Sequence, residues 1–139
     1  MRHKALAGFL MSAALIVVVG YPWGDMVGHA HWSKVGWIPF SSPYDRLRDE
    51  ITNVLLCVPL GIFAALAFRR GVRAAAATAL VLSCFVEVTQ SYTHTRFPSA
   101  TDLVCNVAGA AVAAAVVRRV RRLASGETDD QARARLARR

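Results

Sequence analysis

The sequence predicts an all-α fold: four transmembrane helices of a polytopic integral membrane protein, with the N- and C-termini cytoplasmic. Three observations carry this reading. Of 139 residues, 55% are hydrophobic and only 19% charged, with a mean hydropathy of +0.35, whereas ordinary soluble chains carry roughly 25% charge. The apolar residues gather into four long stretches nearly free of charge, and the basic residues behind the net charge of +8 sit between and after them. Disorder, a collagen-like fibre and a disulfide scaffold are excluded by composition. The basic charge alone would suggest nucleic acid, but its placement points to a membrane instead.

The first stretch, 5–21, follows Arg2 and Lys4. Its apolar run exceeds the roughly 7–15 residues of a signal-peptide core, so a retained helix is expected rather than a cleaved leader. The second, 51–68, ends at Arg69 and Arg70; the third, 74–92, contains the single charge Glu87. A fourth runs over 102–117, opened by Asp102 and closed by Arg118 and Arg119. Crossing the hydrocarbon takes about 20 apolar residues, range roughly 17–25, which the first three meet. The fourth is short, but its closing arginines can raise their heads to the interface. The stretches lack the alternation of an outer-membrane barrel, leaving helices as the spanning structure. Residues 1–123 thus form one membrane domain and 124–139 a basic cytoplasmic tail.

Orientation follows from lysine and arginine counts. With the N-terminus inside, thirteen of the seventeen basic residues fall on cytoplasmic flanks; Lys34, Arg46, Arg48 and Arg96 remain outside. Trp23, Trp32 and Trp37 all lie in the first outer loop, either at headgroup level or packed beneath the loop.

Topology and helical rise then bring polar residues together. Asn53 in the second span, Glu87 and Gln90 in the third, and Asp102 and Asn106 in the fourth all lie near the outer ends. Glu87 and Gln90 are i,i+3 and Asp102 and Asn106 are i,i+4, so each pair shares a face. Ser83 extends the first face inward, and the Cys105, Gly109, Ala113 row offers an adjoining small-residue packing face. A charge within a span is costly unless it faces protein or water; Arg96, in the short loop before Asp102, is the candidate partner for Glu87, and Asp102 competes for it. These groups either lock three helices together, at about 0.6 kcal/mol per hydrogen bond, or form a ligand-binding or catalytic site.

Three segments in order resemble the VanZ-like family of small bacterial membrane proteins. They are Trp37-Ile38-Pro39-Phe40, then Asn53 through Pro59 to Gly61, then Glu87-x-x-Gln90, Arg96 and Asp102-x-x-x-Asn106-x-x-Gly109. Ala113 stands where the family often has a second glycine, and Cys57 where it commonly has an aromatic residue. The resemblance implies no defined activity. It does imply an association with low-level lipoglycopeptide resistance, and it marks Asn53, Glu87, Gln90, Arg96, Asp102 and Asn106 as an outward-facing polar site.

The remaining features are weaker. Pro59 frees a backbone carbonyl inside the second helix and is read with Gly61, Gly109 and Ala113 as a packing element. Cys57, Cys84 and Cys105 fall within spans and read as inert small hydrophobes. His29, His31 and His94 share the outer side, but two loop histidines are usually only loop residues, and no metal is expected. Arg118, Arg119, Arg121 and Arg122 form a patch for anionic lipid, followed by a capping-box pattern, Thr128-x-x-Gln131, in the tail. No cofactor fingerprint or nucleic-acid motif is present. Oligomeric state is open.

The leading expectation is recognition of a polar, anionic headgroup of an envelope lipid or lipid-linked cell-wall intermediate at the inner membrane's outer leaflet, with a link to glycopeptide or lipoglycopeptide tolerance. Arg96 would pair with the anion. The alternatives are an enzyme using Glu87 and Asp102 as an acid/base pair, or an assembly subunit docking through the Gly109 and Ala113 face.

Overall fold

The computed structural model describes residues 2–41 and 46–126. Four helices account for most of it: α1 (Arg2–Gly20), α2 (Leu47–Ala67), α3 (Gly71–Gln90) and α4 (Ala100–Ala124). A 3-10 turn at Trp32–Lys34 interrupts the long α1–α2 connection, and among the described residues there are isolated bridges but no strand. Each of the four helices is long and apolar enough to cross a membrane. Most of their surface faces outward, including Leu10, Leu15, Leu55, Leu80, Phe85 and Val112. In water that surface would be a severe liability; in lipid it is the expected exterior.

All four helices take in charged residues beyond their uncharged runs, and α2 and α4 do so most. The second begins at Leu47, with Asp49 and Glu50 in its first turn, where acidic side chains favour the positive end of the helix dipole. The fourth passes its first arginines and ends at Ala124, with Arg121 and Arg122 in the last turn, favourable at the negative end. Arginine is a good helix former, so the backbone ladder continues where hydropathy stops. The tail after Gly126, with its Thr128 and Gln131 pattern, lies outside the described residues.

Packing is led by α2 against α4. These two run parallel and approach almost backbone to backbone. A Cβ on Gly61 would meet the Ala110 carbonyl group and lie 2.9 Å from the Ala113 Cβ, and one on Gly109 would lie 3.0 Å from the Cα and carbonyl carbon of Val54. Small residues let helices close this far in lipid, where dispersion contacts rather than water exclusion drive association. Pro59 continues α2 without ending it. The core around this contact is built from Cys57, Leu60, Ala64, Ala75, Ala79 and Ala110, all fully buried. On the other side, α1 packs on α2 and α3; Phe9 and Phe68 meet edge to face at 5.0 Å.

The molecule therefore has two unlike ends. One gathers the start of α1, the 68–70 turn and the end of α4, rich in arginine. At the other, residues 21–41 and 91–99 are stitched together. Val27 N–H donates to the Tyr92 carbonyl (2.8 Å), His31 N–H to Ser91 (2.7 Å) and Gly36 N–H to Pro98 (2.9 Å), while Ala100 N–H donates back to Gly36 (2.8 Å). Trp23, Trp32 and Trp37 are all more than half exposed on this end rather than packed beneath the loop.

Candidate functional site

The stitched end holds an open cavity of about 510 Å³ lined by all four helices, with Ile16, Val19 and Gly20 of α1 on one side. Asn53, Glu87, Gln90, Arg96, Asp102 and Asn106, drawn from three helices and a loop, all line it. So do Arg46, Arg48 and Asp49 at the start of α2, none of which counting depth and face along the spans picks out.

Each polar side chain is set by a local device. Glu87, half-buried near the end of α3, accepts a hydrogen bond from the Ser99 backbone N–H at 2.8 Å. That bond, and not one from Arg96, is what holds the carboxyl group. Arg96 and Asp102 nonetheless both lie close enough for their charges to act on it. Gln90 is buried and donates from Nε2 to the Gly20 carbonyl at 3.2 Å, satisfying an end group of α1 that has no partner within its own helix. Asn106, also buried, accepts at Oδ1 from the Cys57 thiol at 3.3 Å, across the close α2–α4 contact. Cys57 is thus part of the polar network rather than an inert filler. Cys84 is exposed on α3, and Cys105 is buried on α4.

The loop that carries Arg96 turns on Thr93, which is fully buried. Its hydroxyl lies 2.9 Å from the carbonyls of both Gln90 and Arg96 and accepts from the Arg96 N–H at 3.2 Å. A side-chain hydroxyl substituting for backbone partners is how a threonine fixes a turn. Ser99 then caps α4, accepting from the Thr101 N–H at 3.1 Å. Thr101 in turn accepts from the Phe40 N–H at 2.7 Å, with Phe40 in the left-handed region at φ 59°. Neither threonine carried a signal in the sequence beyond its ordinary turn and cap preference.

Charge is graded through the cavity. Arg46, Arg48 and Arg96 are exposed at the mouth with Asp49, whereas Glu87 and Asp102 are half-buried and Asn106 and Gln90 lie deepest. The interior offers acceptors and amides; the rim offers guanidinium groups, which bind phosphate and carboxylate in a bidentate fork.

The histidines do meet beside this site. The His31 ring centroid lies 4.7 Å from that of His29 and 5.0 Å from that of His94. Among the described residues, however, no three such side chains are arranged to hold a metal ion. His31 is held below its ordinary pKa, first by desolvation and then by the charges of His29, Lys34 and His94; among the described residues its covered Nε2 has no hydrogen-bond partner.

The VanZ/LLP1 family model matches residues 6–121. The chain belongs to the VanZ/LLP1 family. In this VanZ/LLP1 protein the matched region takes in the body of all four helices, the stitched loops and every cavity residue named above, and stops within the arginine-rich end of α4. With four spanning-length helices, VanZ/LLP1 membership marks a multi-pass membrane protein. No curated protein and no solved structure matches the chain.

Proposed function

We propose that this VanZ/LLP1 protein sits in the inner membrane with the arginine end cytoplasmic and binds, through its opposite end, the phosphate-bearing headgroup of an envelope lipid or lipid-linked cell-wall intermediate. The observation that carries this reading is the convergence of six polar side chains from three helices and a loop on one cavity whose mouth holds three arginines. Arg46, Arg48 and Arg96 supply the anion contacts. Asn53, Gln90 and Asn106 orient hydroxyl or amide groups deeper in, with Glu87 and Asp102 accepting from hydroxyls and biasing Arg96. The cavity lies at one end of the spanning helices, so a lipid can present its headgroup there while its chains stay against the exposed apolar surface. A link to glycopeptide or lipoglycopeptide tolerance follows if the headgroup is that of a cell-wall precursor.

Native mass spectrometry of the purified protein tests this, comparing wild type with Arg96→Ala, Glu87→Gln and Asn106→Ala. A co-purifying phosphate-bearing lipid that is lost from or reduced in the folded variants supports the reading and identifies the ligand class. Folded variants with unchanged lipid refute it. One observation favours a second reading: Glu87 and Asp102 face the same cavity and feel each other's charge, as an acid/base pair acting on that lipid would. Glu87→Gln separates the two, because it abolishes turnover but only weakens binding.

A further inference from the structure

The opposite end of the molecule carries a second cavity, of about 560 Å³, walled by Arg69, Arg70, Arg73, Arg118, Arg119 and Arg122 over a floor of Val72 and Ala115. We propose that this cleft is a binding site for an anionic lipid headgroup carrying two phosphates, separate from the site at the other end and independent of its ligand.

The arginines come from two parts of the chain far apart in sequence. Three belong to the tight α2–α3 turn and the start of α3, and three to the last turns of α4. Membrane topology alone asks for basic residues at this end, but it does not ask that they face one another. That convergence is a product of the fold. Gly71 packs so tightly on α2 that an added Cβ would lie 2.5 Å from the Ala65 Cα and 2.7 Å from the Ala64 carbonyl oxygen, which draws the turn in. On α4, Arg118 and Arg122 are i,i+4 and Arg119 and Arg122 are i,i+3, so the three share a face. Arg121 lies at the same end of the same helix yet outside the cleft.

Position and charge identify the occupant. The apolar part of α2 ends at Ala67 and that of α4 at Val117, so the cleft opens at headgroup depth, and Val72 and Ala115 offer a surface for the first carbons of a lipid. No carboxylate of the described residues lines it. Guanidinium groups gathered around one cleft repel one another, and an anion among them relieves that repulsion. A single phosphodiester brings one negative charge to a wall of six arginines. A headgroup with two phosphates engages both the turn arginines and the α4 arginines. Basic pockets between helices at the cytoplasmic side are suited to such headgroups, at about 1 kcal/mol per basic residue near the surface.

The test uses the full-length protein in nanodiscs of zwitterionic lipid, titrated with cardiolipin, phosphatidylglycerol or free pyrophosphate and read by native mass spectrometry. Cardiolipin is expected to bind at least tenfold tighter than phosphatidylglycerol and not to be displaced by millimolar pyrophosphate. Arg70→Gln with Arg122→Gln should lower cardiolipin binding at least tenfold, while Arg121→Gln changes it less than threefold. Arg70→Lys with Arg122→Lys keeps the charge but loses the fork, and should fall between; this pair carries the test if the glutamine variant fails to fold. Equal loss in Arg121→Gln, or equal binding of the two lipids, would reduce the cleft to ordinary surface charge and overturn the proposal. Displacement by pyrophosphate would overturn it in favour of a soluble phosphate.

Discussion

Replacing Gly109 by alanine adds one methyl group at the point where α4 crosses the backbone of α2. The new Cβ would lie 3.0 Å from both the Cα and the carbonyl carbon of Val54, and nearer still to the Val54 oxygen. Ordinary contact begins at 3.4 Å, so the helices must part by at least several tenths of an ångström. Neither side can yield by a rotamer change, since the opposing atoms are backbone. Overpacking of this kind costs about 1–3 kcal/mol. Separation also stretches the neighbouring Cys57–Asn106 hydrogen bond, a bond of a type worth about 0.6 kcal/mol in membrane proteins. We therefore expect Gly109→Ala to lose about 2–3 kcal/mol in reversible SDS unfolding from mixed micelles, followed by circular dichroism. Gly28→Ala is the control: nothing lies within 4 Å of its added Cβ, and stability should stay within about 0.5 kcal/mol of wild type. A Gly109→Ala protein as stable as that control would refute the claim that α2 and α4 meet backbone to backbone.

Glu87→Gln retains an oxygen to accept from the Ser99 N–H and should unfold close to wild type, whereas Glu87→Ala strands that donor and should cost about 1–3 kcal/mol; equal stability of the two would show that the bond is not formed. Gln90→Leu removes the donor to the Gly20 carbonyl, so amide exchange near the end of α1 should rise while that of α2 and α4 is unchanged; a uniform change would contradict a local tie. The depressed pKa of His31 means that the folded loop binds fewer protons than the unfolded one near neutrality. Its stabilisation is complete above about pH 6.5 and declines as pH falls towards the native value. Amide exchange at Val27 and Gly36 should accelerate from pH 7.5 to 5 after correction for intrinsic rates, and His31→Gln should flatten that trend; acceleration in the opposite direction would refute it. For orientation, a cysteine-free protein bearing Trp37→Cys should react in whole cells or spheroplasts with a membrane-impermeant thiol reagent, and one bearing Ser125→Cys only after lysis; the reverse pattern would invert the topology.

Much of the fold is legible in one dimension because its causes are one-dimensional. Hydrocarbon thickness sets a run length, and the four runs of this chain meet it or nearly so. Helical spacing alone puts Glu87 with Gln90, and Asp102 with Asn106. The helix ends are less legible: α4 extends to Ala124 because backbone hydrogen bonding does not stop where hydropathy does. The same limit hid Arg46, Arg48 and Asp49, which lie in or beside the charged first turn of α2 and reach the cavity only once that turn is helical.

The sequence by itself determined that polar groups would collect at one depth near one end of the bundle, and that small residues would line α4, since depth and face follow from counting along a helix. Partners were decided only in three dimensions. Glu87 bonds the Ser99 backbone rather than Arg96 because Thr93 folds the intervening loop back on itself. Cys57 joins Asn106 because glycines let two helices come unusually close. The six arginines share one cleft because Gly71 draws the α2–α3 turn tightly onto α2. Each of these contacts joins residues through a turn or across a helix interface, and the distance between such residues is set by loop geometry and packing, which no count along the chain contains.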